Sequence, residues 1–192
     1  MMKHLALLAS SALALSATVA SAQAPAAASD PGNLTRFSSG IKSRFDNVKR
    51  DIVEAADAVP EAEYGFKPTP EVRSFGQLIA HIIDAQNYFC ATAGGSNPQY
   101  ADTVEKSLTS KTDLVKALKE SVAKCDAVYA KTDASNALSL VKAGKGDALR
   151  GLLLLDNVSH DSEHYGNIVT YMRLKGHVPP STARTQKSGS GQ

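Results

Sequence analysis

The chain has 192 residues, of which 43% are hydrophobic and 21% charged, with a formal net charge of +2 and two cysteines. So small a charge leaves no basic stripe of the kind nucleic-acid binders carry, and runs such as Lys49-Arg50 read as solvated helix faces. No nucleic-acid partner is expected. With the terminal segments set aside, roughly 150 residues remain, enough for one domain with its own core.

The N-terminus reads as a targeting segment. Lys3 supplies the positive charge, residues 5–19 form an apolar stretch rich in Ala and Leu, and Ala20-Ser21-Ala22 gives the small-x-small pattern that signal peptidase cuts. Residues 1–22 are therefore expected to be a signal peptide, cleaved before Gln23, with the mature protein in the periplasm or secreted. A membrane anchor is the alternative, but about 15 apolar residues fall short of the roughly 20 that a span needs. No later segment meets that length, so no stable membrane span is expected. Residues 23–32, rich in Ala and Pro, are expected to be a flexible leader.

From residue 33 to 59 the apolar positions Leu34, Phe37, Ile41, Phe45, Val48, Ile52, Ala55 and Val59 alternate in steps of three and four. That is the pattern of an inward-facing helix of a bundle. Pro60 ends it, and an irregular connection through Pro68 and Pro70 follows. Ser74 and Gln77 form a capping box that opens a second helix with Leu78, Ile82, Ala85 and Phe89 on one stripe and His81 at its edge. Gly94-Gly95 and Asn97-Pro98 terminate it. A crossover of roughly 15 residues leads to the third helix, longer than a tight helical hairpin requires. Ser110 with Asp113 caps that helix, whose stripe is Leu114, Leu118, Val122, Cys125 and Tyr129. A loop containing Gly144 and Gly146 leads to Asp147, a candidate N-cap for the fourth helix. This last helix runs to about Lys175, with Gly176 as its C′ residue and Pro179-Pro180 after it. No segment shows sustained period-two alternation. The expected fold is all-α, a four-helix bundle over residues 33–180 with a long crossover between helices 2 and 3. Residues 181–192, polar and without apolar period, are expected to be a disordered tail.

An exported chain with an even cysteine count favours a disulfide between Cys90 and Cys125. Buried free thiols or metal-binding thiolates are the alternatives, and neither cysteine has a ligand-type neighbour at close spacing.

His160 and His164 lie four apart on the fourth helix, so both project from one face and can reach a single ion at about 2.0–2.1 Å each. The same spacing suits two hydrogen-bonded helix histidines. Their stripe, however, runs Leu149, Leu153, Asp156, His160, His164, Asn167/Ile168 and Tyr171, which places them toward the core. Buried imidazoles need partners for both ring nitrogens, and His81 on the second helix can supply a third nitrogen. His4 falls in the signal, and His177 reads as a residue packed on the end of the bundle.

Phe66-Lys67-Pro68-Thr69-Pro70-Glu71-Val72-Arg73-Ser74-Phe75, with His81 six residues later, and the run from His160 to Pro180 resemble the DinB-like four-helix-bundle metalloproteins. The resemblance covers residues 33–180. It implies a nickel- or zinc-type divalent ion on His81, His160 and His164. Asn167 stands where many relatives carry Gln, which leaves its contact to ligand or outer shell open. Characterised relatives of this fold transfer thiols or isomerise small substrates with a low-molecular-weight thiol, which the resemblance allows here, although such thiols are scarce in a periplasm.

Three neutral nitrogen ligands would leave an ion its full charge, able to polarise an oxygen, acidify water or activate a thiolate. A hydrolase would further need a general base. Asp161 and Glu163 turn away from the His160/His164 face by roughly 100° per residue. Asp84 and Asp156 are better placed, as outer-shell support or as a base, and Tyr88, Asn167 and Tyr171 are candidates for the pocket mouth. The reading is a metal-dependent hydrolase or transferase acting on an unknown small molecule. The alternative is a non-catalytic periplasmic metal- or ligand-binding bundle. A homodimer is compatible with either.

Overall fold

The computed structural model describes residues 30–189, and the expected signal peptide and most of the expected leader lie outside them. The described chain holds six α-helices, one short 3-10 turn at Glu61–Glu63 and one small hairpin: α1 Pro31–Ala58, α2 Phe75–Ala93, α3 Thr103–Ser107, α4 Lys111–Ala130, β1 Leu140–Ala143, β2 Gly146–Leu149, α5 Arg150–Leu174 and α6 Pro180–Gly189. The long helices α1, α2, α4 and α5 are the four expected bundle helices. Helix α2 packs on α4 and α5, and α1 on the same two. The fold is all-α in character, with the long crossover where the sequence predicts it.

The caps explain the boundaries. The Asp30 carboxylate accepts the Gly32 N–H at 2.9 Å and Pro31 fills the first turn, so α1 starts two residues inside the expected leader. Ser74 and Gln77 form the reciprocal capping box at the head of α2. Ser110 accepts the Asp113 N–H at the head of α4. Gly176, at φ +80°, ends α5 in the left-handed conformation that a Cβ disfavours.

Phe45, Ile52, Ile79, Ile82, Leu114, Leu118, Leu154 and Ile168 are fully buried, each contributing roughly 1.5–3 kcal/mol through burial. Phe45 stacks on Tyr129 at 4.2 Å between ring centroids. Cys90 and Cys125 form a disulfide that joins α2 to α4. Among the described residues, no helix is long and apolar enough to cross a membrane.

Four expectations need correction. Phe37 is 36% exposed, because it lies over Gly151 at the edge of the bundle instead of inside it. Asp147 is no helix cap: it sits in β2 opposite Lys142, to which it is ion-paired at 2.8 Å, and α5 begins at Arg150. The turn between β1 and β2 is the two-residue Gly144-Lys145, with Gly144 at φ +59°, a glycine-first hairpin signature. Finally, the segment expected as a disordered tail holds α6. Pro180 opens that helix instead of merely blocking α5, and Arg184 ties it to Asp51 and Glu54 on α1.

Candidate metal centre

Helix α2 contributes His81 and α5 contributes His160 and His164, one turn apart. Each ring offers one nitrogen, and these three nitrogens lie within 4.8 Å of one another. The ring centroids are 4.4 Å apart for His160–His164, 5.0 Å for His81–His160 and 4.9 Å for His81–His164. Nε2 of His81 and Nε2 of His160 approach to 3.1 Å. That separation falls in the range of about 3–3.5 Å that two nitrogens take up around one tetrahedral ion at 2.0–2.1 Å.

The electrostatics suit a cation. Burial is the first cause that holds all three imidazoles below their ordinary pKa. For His160 the neighbouring His164 and His81 add to it, and its pKa falls to about 4. All three rings are therefore neutral near pH 7 and keep the lone pairs a divalent ion requires. The amide nitrogen of Asn167 lies 3.3 Å from Nδ1 of His164, which leaves Nε2 of that ring to ligate. Flipping the amide would present its oxygen to an Nδ1–H instead. Nδ1 of His160 is buried without a hydrogen-bond partner. Three neutral, converging imidazoles fit the donor set of a divalent transition-metal ion.

A polar cleft of about 470 Å³ opens against His164 and is lined by Lys67, Glu71, Arg73, Gln77, Asn167 and Tyr171, among others. The Tyr171 hydroxyl donates to the Arg73 carbonyl at 2.9 Å and fixes that strip of chain over α5. A larger hollow of about 650 Å³ runs along α4 between Asp57 and Lys119, away from the histidines.

The remaining candidates divide. Asn167 and Tyr171 line the cleft. Tyr88 packs edge-on against Tyr100 and Phe89 and borders a separate small hollow with Asp84. Asp84 is buried, and its carboxylate accepts the backbone N–H groups of Val104 and Glu105 at 3.0–3.1 Å, capping α3. Asp156 is a correction: it is exposed on the outside of α5 and takes no part in the histidine group. Asp161 is the carboxylate that faces inward. It is fully buried, accepts a hydrogen bond from Gln86 at 2.9 Å, and burial pushes its pKa up to about 8. Glu163 is exposed. His177 pairs with Glu63 at 2.7 Å on the end of the bundle.

Four residues around His81 escape a reading of helical stripes. The Tyr100 hydroxyl is 3.2 Å from Nδ1 of His81, Oε2 of Glu105 is 3.5 Å from the same atom, and Arg73 Nε donates to Oε1 of Glu105 at 2.9 Å. His81, Asp102 and Glu105 also offer ligand atoms within 4.8 Å of one another. Tyr100, Asp102 and Glu105 belong to the crossover, where apolar periodicity carries no information. Arg73 is visible only as part of the motif preceding Ser74.

Comparison with known proteins agrees with this architecture. The family model described as the DinB superfamily matches residues 44–168. No curated protein matches significantly. Among solved structures, a DinB-like protein from Bacillus cereus superposes with a TM-score of 0.62 at 14% identity, covering 74% of this chain and 95% of its own. The DinB-like protein YjoA from Bacillus subtilis gives a TM-score of 0.58 at 23% identity, covering 72% and 93%. A mycothiol-dependent maleylpyruvate isomerase gives 0.57 at 15% identity, covering 68% of this chain and 60% of that one. The histidine-bearing bundle described above belongs to the DinB superfamily.

Proposed function

We propose that the protein is an exported, metal-dependent enzyme that acts on a small molecule held in the cleft beside His164. The observation that carries this reading is the convergence of three neutral imidazoles from two helices, one of which, His164, lines a polar cleft. His81, His160 and His164 would hold a nickel- or zinc-type ion, which supplies Lewis-acid chemistry when bound. Three protein ligands leave such an ion at least one position for substrate. Arg73, Lys67 and Gln77 offer donors along the cleft to orient a substrate, and Asn167 steadies His164. The likeness to an isomerase that uses a low-molecular-weight thiol makes thiol-dependent isomerisation and thiol transfer the first reactions to assay, alongside hydrolysis.

A second reading is a non-catalytic metal- or ligand-binding bundle. It is favoured by Glu105, the carboxylate nearest the histidines, being engaged by Arg73 and therefore poorly placed as a general base.

Elemental analysis of protein purified from its native compartment, with His164→Ala as control, tests the metal reading. One stoichiometric metal is expected, lost in the variant; equal metal in both would sink it. Binding of an exogenous ligand such as azide at a cobalt-substituted centre, read in its visible spectrum, is expected for the open-site enzyme. A spectrum indifferent to added ligands would leave the non-catalytic reading. Export is supported by the N-terminal pattern and by the Cys90–Cys125 disulfide, a bond typical of oxidising compartments. A mature N-terminus at Gln23 in the periplasmic fraction is the expected outcome of sequencing it.

A further inference from the structure

We infer that Glu105 is a positioning residue for His81: its carboxylate accepts a hydrogen bond from the Nδ1–H of that imidazole and so turns the Nε2 lone pair toward His160 and His164. This rests on the reading that the three histidines hold an ion. The two nitrogens of an imidazole point in diverging directions. Nε2 of His81 faces Nε2 of His160 at 3.1 Å, so Nδ1 faces out of the histidine group, toward the crossover. There it meets Oε2 of Glu105 at 3.5 Å, an atom that is buried and has no hydrogen-bond partner of its own. A buried carboxylate oxygen without a donor is costly, and the Nδ1–H of a ligating histidine is the donor within reach. At 3.5 Å the contact is longer than a formed hydrogen bond, and contacts of this kind tighten when the site is filled.

The surroundings hold Glu105 to this task. Arg73 binds its other oxygen at 2.9 Å, and its backbone N–H is fixed by the Asp84 carboxylate at 3.0 Å. Asp84 is three residues after His81 on α2, so one helix carries both the ligand and the anchor for the segment that orients it. Tyr100 is the rival partner, at 3.2 Å from the same Nδ1, but its side chain is 43% exposed, where water competes for the contact. A neutral phenol also raises ligand basicity less than a carboxylate does.

The test compares wild type, Glu105→Ala, Glu105→Gln, Tyr100→Phe and His164→Ala. Zinc affinity is read by competition with a chromophoric chelator. The His81 tautomer is read by long-range ¹H–¹⁵N NMR of zinc-loaded, ¹⁵N-labelled protein. Loss of Glu105 is expected to weaken zinc binding about 10–100-fold, with the amide variant intermediate and Tyr100→Phe nearly unchanged. In wild type, Nδ1 of His81 is expected to be protonated, with a downfield proton that moves in Glu105→Gln. A merely structural role would lower the melting temperature of the metal-free variants without moving that signal. If Tyr100→Phe weakens zinc while both Glu105 variants do not, or if Nδ1 proves to be the nitrogen bound to zinc, the inference is overturned and the three-histidine reading survives. If wild type binds zinc no better than His164→Ala, the metal reading itself is what fails.

Discussion

At the scale of single residues, the two aspartates of α5 show what spacing can and cannot tell. The stripe through Leu149, Leu153, Asp156, His160 and His164 correctly joins the two histidines, yet puts Asp156 inside when it is exposed. The reason is that α5 packs on both α1 and α2 and buries more than one stripe, and Asp161 lies on the second. Its Oδ1, and Oδ1 of Asn157 one turn away, are buried without hydrogen-bond partners, and a proton on Asp161 is the donor that would serve them. The folded state keeps this proton up to about pH 8, whereas the unfolded chain releases it near the ordinary aspartate value of 3.8. The folded state therefore binds more protons between these values, and stability falls as pH rises through that window, by up to about 1.4 kcal/mol per unit. Urea denaturation of chelator-treated protein at about pH 5 and about pH 8 checks this: Asp161→Asn is expected to lose much less stability between the two than wild type. An equal loss in both would contradict it.

At the scale of elements, the four long helices were legible because each carries an apolar period over several turns, with capping residues at the heads of α2 and α4 and Gly176 after α5. The hairpin and α6 were not. The strands are four residues each, too short for alternation to register, and α6 has no apolar stripe. The hairpin did leave one signal, glycine followed by lysine between paired residues, and that signal is local chemistry and not periodicity. Glu105 was hidden for the same reason: it rides on a five-residue helix in the crossover. Gly151 marks where the hairpin meets α5. A Cβ there would come within 2.7 Å of the Phe37 ring and 2.9 Å of the Ala137 carbonyl. Phe37 can swing away, but the carbonyl also accepts the Gly151 N–H at 2.7 Å and cannot. Gly151→Ala is expected to destabilise by roughly 1–3 kcal/mol, read from the chemical-denaturation midpoint. A neutral result would mean that the hairpin junction is free to shift.

At the scale of the whole molecule, the disulfide joins α4 to the helix that carries His81. It spans a sequence separation of 35 residues, and its removal is expected to cost about 3–4 kcal/mol through the freed unfolded chain. A paired Cys90→Ser and Cys125→Ser variant should melt several degrees lower while keeping its metal stoichiometry, because neither sulfur belongs to the histidine group. Loss of metal in that variant would mean that the bond also sets the position of α2.

Asn97, just beyond α2, and Gly144, at the hairpin tip before α5, are bound to each other twice: the Asn97 amide donates to the Gly144 carbonyl at 3.1 Å and accepts its N–H at 2.8 Å. The segment that delivers Tyr100 and Glu105 to His81 is thus buckled at its root to the approach of the helix that delivers His160 and His164. The two arms of the site are fastened together outside the core as well as within it, and a loosened clasp would slacken the outer grip on His81 while leaving the packed bundle intact.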